Sequence, residues 1–480
     1  MSELVLENKN NLPKQWVTVS LDDVIIPIKG KKPKNLGNHS ASLSIPYIDI
    51  KSFEKKEFTN FTNEKICPKC SEDDVLIVWD GARSGLVGTG VSGVIGSTLA
   101  KLFCFDIEKK YLYYFLQMNY EKLNKNPKGI GIPHVNPELL YSLKFPLSTL
   151  NEQKRIVKKI EELFSELDYV QSTLKNINSQ LEEYKQSLLK SAFEGNLTKK
   201  WREKNKPSLE ELTKKIEEEK KNLDKKQQKI LAEKVDFFKI PEDWAWIRVG
   251  EVSKDVQYGT SEKATTSKSK IPVLRMGNIQ NGKLDFSKLK YYPNNWKNFK
   301  TFELVNGDVL FNRTNSAELV GKTAVYYEHH PPAVFAGYLI RVKLFENVYL
   351  PSLLSHYINS IFGKLYIRSV VTQQVGQANV NSTKLTLMPL PLMSYEEQKE
   401  IHSQLESYLS VIANTEKIVN SLLSKLDVLY STILKLAFEG KLVPQDPNDE
   451  PVEILLQKIK KEKEQLLQKQ KTSRRKKNVK

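Results

Sequence analysis

Residues 149–195 read TLNEQKRIVKKIEELFSELDYVQSTLKNINSQLEEYKQSLLKSAFEG, and residues 394–440 read SYEEQKEIHSQLESYLSVIANTEKIVNSLLSKLDVLYSTILKLAFEG. Matching residues keep a constant offset of 245, so the two stretches have equal length without a gap. Each opens on a capping box, Thr149 with Glu152 and Ser394 with Glu397. In that arrangement hydroxyl and carboxylate satisfy the free amides of a first helical turn. Each closes on a glycine, Gly195 or Gly440, suited to a left-handed cap.

Inside the first stretch Ile156, Ile160, Leu163, Leu167, Val170, Leu174, Ile177, Leu181, Tyr184 and Leu188 alternate in steps of four and three. The second carries Ile401, Leu405, Tyr408, Ile412, Thr415, Val419, Leu422, Leu426, Leu429 and Ile433, with Thr415 alone breaking the seam. Two apolar positions per heptad, sustained this long, predict coiled-coil pairing. An ordinary helix lying on a globular core would show a broader stripe. At 1.5 Å per residue the rods measure roughly 60 Å, and two equal rods in one chain most simply pair with each other.

The repeat extends beyond the helices. Asn11–Trp16 is matched by Lys239–Trp244, Ile45–Ile48 by Ile271–Leu274, and Asp74–Leu76 by Asp308–Leu310. Val135-Asn136 is matched by Val380-Asn381, and Phe145–Leu147 by Leu390–Leu392. Here the offset drifts from 226 to 245, as expected of two heads that diverged on a fixed frame. The chain therefore divides into a head at 1–148, a long helix with a charged helical connector at 149–236, a head at 237–393, and a second long helix with a charged tail at 394–480. Strands are predicted at Val75–Trp79, Leu99–Phe105, Val309–Phe311 and Leu339–Leu344, and helical patches at Tyr111–Leu123 and Leu350–Tyr366. The fold class is α+β, with a pseudo-twofold internal repeat.

The charged stretches are Ser208–Lys234, with fifteen charges in 27 residues, and its counterpart Pro451–Gln470. Glu210–Lys214, Glu211–Lys215 and Glu217–Lys221 have the spacing of an exposed helix. The last ten residues hold six bases and no acid (Lys471, Arg474, Arg475, Lys476, Lys477 and Lys480), and are read as a disordered tail.

Over the whole 480 residues Lys and Arg exceed Asp and Glu by 17, which points to a polyanionic partner. Three cysteines exclude a disulfide framework and fit a reducing compartment. With no spanning apolar run, and no signal-peptide pattern in Met1–Asn10, the expectation is a cytoplasmic protein.

Catalytic patterns fail one by one. Gly88–Gly93 spells a dinucleotide fingerprint, but no helix is predicted after it and Gly321–Ala324 in the other head lacks it. Cys67-Pro68-Lys69-Cys70 is half a zinc motif without its other half. Asp49 and Glu54 near Lys51 and Lys55 resemble a metal nuclease only superficially, since the matched segment of the second head, Arg275–Asn278, has no carboxylate. His329-His330 lacks further ligands, and no Asn-Pro-Pro-aromatic tetrad is present. No metal, cofactor or catalytic site is expected.

What recurs in both heads is polar and basic loops among aromatics. In the first they hold Lys29, Lys31, Lys32, Arg83, Ser84, Lys128 and His134. In the second they hold Tyr258, Thr260, Arg275, Asn278, Asn312, Arg313, Asn315, Gln374, Gln377 and Asn379. Arg, Asn and Gln read purine edges bidentately, while Lys, Ser and Thr hold phosphates, so these are the candidate contacts to double-stranded DNA.

The order head, long helix with AFEG, head, long helix with AFEG resembles the specificity subunit of type I restriction–modification systems. The motifs are PLSTLNEQKRI and SAFEGNL in the first half. In the second they are IPVLRMGNIQNG, GDVLFNRTNSAELVGKTA, QQVGQANVNSTKL, PLPLMSYEEQKEI and LAFEGKLVPQDPNDEP. The first head departs, with DVLIVWDGARSGLVG and IGIPHVN in place of the Asn-Arg-Thr and Gly-Gln-Ala-Asn runs. The resemblance implies a non-catalytic subunit whose two target-recognition domains each read half of an asymmetric bipartite site. It further implies that an antiparallel helix pair sets the gap and docks two methylation subunits, which carry restriction subunits. S-adenosylmethionine, ATP and Mg would belong to those partners and none to this chain. The competing readings are a self-contained nuclease or methyltransferase, which needs motifs not found, and a scaffold that binds protein only, which the basic surplus disfavours.

Overall fold

The structure, a computed structural model, describes residues 12–129, 131–221, 235–266, 271–374 and 377–477. The predicted features at Met1–Asn10, Ile130, 222–234, Val375-Gly376 and 478–480 lie outside these residues. The chain forms two compact units, Met1–Leu174 with Asn420–Lys480 and Lys175–Val419, and each unit contains one head and half of each long helix.

The long helices span Leu150–Phe193 and Tyr395–Phe438, 44 residues each. Gly195 and Gly440 end them in the left-handed region, with φ of 74° and 69°. Past each glycine the chain bonds back to the helix, Asn196 N–H to Ser191 O and Lys441 N–H to Leu436 O, both at 2.9 Å. A side chain at either glycine would strike a proline at the start of a head: Pro241 Cγ lies 2.3 Å from an ideal Cβ on Gly195, and Pro13 Cγ 2.4 Å from one on Gly440.

The helices pack antiparallel within each unit. In the first, Ile156 and Ile160 share a core with Ile433 and Phe438, and the Phe164 and Tyr430 rings meet edge-on at 4.9 Å. In the second, Leu188 and Phe193 share a core with Ile401, Leu405 and Ile412. The seam is narrower than two positions per heptad. Ile156, Ile160, Leu174, Leu188, Ile401, Leu405, Ile412, Val419, Leu426 and Ile433 are buried, while Leu163, Leu167, Ile177 and Leu181 are half-buried. Val170, Leu422 and Leu429 are exposed by 41, 41 and 45%, and so leave the seam. A single partner covers one face, and a 3.6-residue turn drifts away from a 3.5-residue repeat.

Each head contains the same antiparallel four-stranded sheet. The strand order is Ile25–Lys29, Leu99–Cys104, Val75–Val78, Val87–Gly88 in the first head. It is Ser253–Tyr258, Leu339–Leu344, Val309–Asn312, Thr323–Val325 in the second. A smaller sheet contains one parallel pair, Ile45–Ile48 with Gly93–Ile95 and Ile271–Leu274 with Val334–Phe335. A two-stranded ladder, Val17–Ser20 with Lys144–Leu147 or Ala245–Arg248 with Pro389–Leu392, ties the start of each head to its end. The predicted helical patches each break in two. Lys109–Met118 and Tyr120–Lys125 meet at Asn119, and Pro351–Asn359 gives way to Ile361–Val370 at Ser360. Ser360 is extended, and its hydroxyl accepts the Gly363 N–H as a new N-cap.

Behind each long helix a further helix packs on the head of the same unit. Glu210–Lys220 buries Leu212 and Ile216 among Val249, Val252 and Phe345. Val452–Lys477 buries Val452, Leu455 and Ile459 among Leu21, Val24 and Phe105. The tail read as disordered thus continues this helix as far as Lys477.

The capping boxes are half made. Thr149 and Ser394 accept the Glu152 and Glu397 amides at 3.2 and 3.1 Å. The two carboxylates turn away to fasten the head and the end of the opposite long helix. Glu397 accepts from the Trp244 indole (2.9 Å), from Thr198 (2.7 Å) and from Arg202 (2.6 Å), all in the second unit. Glu152 accepts from the Trp16 indole at 2.9 Å and from Gln445, while Arg155 and Thr149 hold Asp449 at 2.8 and 2.9 Å.

Candidate nucleic-acid interface

In the second head, Tyr258 ends the first strand of the main sheet and Arg313 follows the third. The Arg313 guanidinium lies over the Tyr258 ring, 4.6 Å from its centre, while the phenol accepts the Ser382 N–H at 2.8 Å. Arg313 also donates weakly to Gly337 O and Asn379 Oδ1, both at 3.4 Å, and Asn379 Nδ2 donates to Thr314 at 3.0 Å. Thr314-Asn315 pairs with Gln377–Asn379, which pairs with Thr372–Gln374. Beside this ribbon lies a depression of about 190 Å³ lined by Gln377, Asn379, Asn381 and Lys384. Another of about 350 Å³ is lined by Arg275, Gln280, Asn315, Lys322 and Tyr338. Lys322 donates to Gln280 Oε1 at 3.4 Å.

Three expected contacts of this head are internal instead. Asn278 is 3% exposed and spends its amide on Arg275 N–H and on the Asp285 and Lys288 carbonyls. Asn312 is fully buried and donates to Leu319 O. Thr260 is 6% exposed and accepts the Glu262 N–H. Gln374 pairs by its backbone with Gln377, and its side chain lies outside the described residues.

In the first head Asp80 joins two candidates, with Lys29 Nζ 3.1 Å from one oxygen and His134 Nδ1 2.6 Å from the other. Lys31 and Lys32 are exposed, Arg83 pairs with Glu54, and Lys128 pairs with Glu138 at 3.1 Å. Ser84 is fully buried and is structural, its carbonyl held by Asn124 at 3.0 Å.

The residues set aside in the sequence have structural employment. Asp49 caps the helix Ile50–Lys55 by accepting the Ser52 N–H at 2.8 Å. Cys67 and Cys70 are buried, and burial pushes the Cys70 thiol up. Residues after Gly88 form the strand Gly93–Ile95. His330 accepts the Tyr327 N–H at 3.0 Å, and burial lowers its pKa. Among the described residues no group of three or more His, Cys, Asp or Glu is placed to hold a metal ion, and no helix is long and apolar enough to cross a membrane.

Gln280, Lys322, Tyr338, Asn381 and Lys384 were not anticipated, because they become neighbours only through the smaller sheet and the ribbon. Trp79 was within reach: the offset of 234 that aligns Asp74 with Asp308 sets it opposite Arg313.

Both heads are of one design, a four-stranded antiparallel sheet with polar and aromatic groups at its strand ends. Residues 13–183 and 241–424 match the type I restriction modification DNA specificity domain, and the chain belongs to that family. It is 25% identical over 446 residues to the type I restriction enzyme MjaVIII specificity subunit of Methanocaldococcus jannaschii, covering 90% of this chain and 94% of that one. It is 24% identical over 456 residues to the EcoKI specificity subunit of Escherichia coli, covering 90% of each. A solved structure described as showing complex assembly and conformational transition of the type I R-M system shares the fold. Its TM-score is 0.65 at 18% identity, over 90% of this chain and 99% of that one.

Proposed function

We propose that this chain is the DNA-recognition subunit of a cytoplasmic type I restriction–modification complex and that its heads, within 1–148 and 237–393, each read one half of an asymmetric bipartite site. The long helices set the gap and dock two methylation subunits, which bring S-adenosylmethionine and carry the ATP- and Mg-dependent restriction subunits. Supporting this are the polar groups gathered on the second head, Gln377 and Asn379 beside Arg313 and Tyr258, and Asn315, Arg275 and Lys322 around a depression that Met276 and Leu319 also line. Cations and amides, with no acidic residue among the described residues lining either depression, suit phosphates and purine edges. The contacts, exposed or half-buried, are Lys29, Lys31, Lys32, Arg83, Lys128, His134, Tyr258, Arg275, Arg313, Asn315, Gln377 and Asn379, joined by Gln280, Lys322 and Lys384. For docking, the second long helix offers Tyr408, Val411 and Ile418 in one unit and Leu422, Val428 and Leu429 in the other, exposed by 41–63%.

Co-expression with a methylation subunit of the same system in a methylation-free host, followed by methylome sequencing, tests this. The expected result is a two-part asymmetric motif with a fixed gap. A stable complex that methylates nothing and shows no salt-dependent binding to DNA would return the chain to a protein-only scaffold.

A further inference from the structure

The two heads hold four backbone positions in the same register, although their side chains share little. Gly30 N–H bonds to Leu99 O as Gly259 N–H does to Leu339 O, which makes Lys29 the counterpart of Tyr258. Trp79 N–H bonds to Thr98 O as Arg313 N–H does to Tyr338 O, which pairs Trp79 with Arg313. Val135 N–H bonds to Trp79 O as Val380 N–H does to Arg313 O, and the Asp80–His134 bridge repeats the Thr314–Asn379 pairing. Gly30 and Gly259 lock the register, since a Cβ on either would lie 2.2–2.3 Å from a carbonyl oxygen, of Gly96 or Ala336.

These positions carry Lys29, Trp79, Asp80 and His134 in one head and Tyr258, Arg313, Thr314 and Asn379 in the other. Each quartet contains one Lys or Arg and one Trp or Tyr, and these two have exchanged places between heads. Each also pairs a short polar side chain with a ring or amide donor: Asp80 with His134 at 2.6 Å, and Thr314 with Asn379 at 3.0 Å. A fixed frame on which donor and ring trade positions changes what is recognised without moving the backbone. Asp80, held between Lys29 and His134, orients two donors, whereas Arg313 is oriented by stacking on Tyr258.

We infer that this quartet is the shared specificity-determining set of both heads, with Trp79 and Asp80 taking part in the first, and that it contacts base edges of duplex DNA. The inference rests on the recognition function proposed above. Its test uses the complex with the methylation subunit. In one variant Lys29→Tyr, Trp79→Arg, Asp80→Thr and His134→Asn are combined; in a second, Asn379→His is made alone. The first should change one or two base pairs of one half-site, and the second one base pair of the other half-site, with the gap unaltered. Wild-type motifs from both variants would overturn the quartet while leaving the bipartite reading intact; absence of methylation by the wild-type complex would instead remove that reading. If both variants lose methylation, an unshifted Tm supports lost recognition, and a lowered Tm in both overturns the proposal by making the quartet structural.

Discussion

The Glu397 carboxylate is fully buried and meets the Arg202 guanidinium at 2.6 Å, 195 residues away in sequence. Among the described residues its counterpart, Glu152, has no arginine hydrogen-bonded to its carboxylate, and Arg155 favours its charge only from a distance. Glu152 is held by the Trp16 indole and the Gln445 amide, and burial pushes its pKa up despite them. One fastening is a direct buried ion pair and the other rests on two neutral donors, so they should fail differently. Removing one partner of a buried ion pair costs about 3–5 kcal/mol. Arg202→Ala is expected to destabilise by that amount in urea unfolding. Glu152→Gln, which discards a charge that burial already opposes, should cost about 1 kcal/mol or less. Equal losses would contradict the asymmetry.

Acid should act on the first head through Asp74. Burial works against its charge, but Lys109, the Ser71 N–H and Lys101 outweigh it and bring the pKa down to about 2. A carboxylate depressed in the folded state contributes stability above its unfolded pKa of about 3.9, and loses it as pH falls through the folded value. Asp74→Asn should therefore remove about 2 kcal/mol at neutral pH and flatten the stability curve between roughly pH 4 and 2. A variant with the wild-type slope in that window would show that Asp74 is not responsible.

Arg313→Ala should weaken DNA binding by about 1–3 kcal/mol and relax one position of one half-site. Tyr258→Ala should do the same, because it removes both the ring that aims the guanidinium and the phenol that holds the Ser382 N–H. Fluorescence anisotropy on a panel of singly substituted duplexes would detect both. Unchanged affinity and preference would take Arg313 out of the interface.

Lengthening both long helices by four residues, after Leu174 and after Val419, adds about 6 Å to each, roughly two base-pair steps. The methylated motif should keep its halves and change its gap. An unaltered gap would mean that the helices do not set the spacing.

Val411→Glu with Ile418→Lys places charges on a face exposed by 63 and 60%. Tm of the isolated subunit should hold, while co-purification of the methylation subunit is lost. Retained co-purification would move the docking surface elsewhere.

What the sequence makes legible here is what is local. Heptads, caps and terminal glycines lie within a few residues of one another, so both long helices could be bounded almost to the residue. The failures involve distance. Glu152 and Glu397 look like capping partners until Trp16 and Trp244, 136 and 153 residues away, compete for them. Asn278 and Asn312 look like base readers until neighbouring strands bury them. Ser360 interrupts an apolar helical pattern because its hydroxyl serves a second N-terminus better than a continuing turn.

The first unit is assembled from both sides of the second. Its core adds Phe438, Val452, Leu455 and Ile459 to Tyr111, Phe115 and Phe145, and Thr149 bonds to Asp449, 300 residues further on. During translation the first head therefore emerges long before the segments that cover it, and its apolar floor stays open while the whole continuous second unit is made. Chaperone dependence and aggregation on the ribosome should fall on the first-made head, and slowing synthesis should prolong that vulnerable interval.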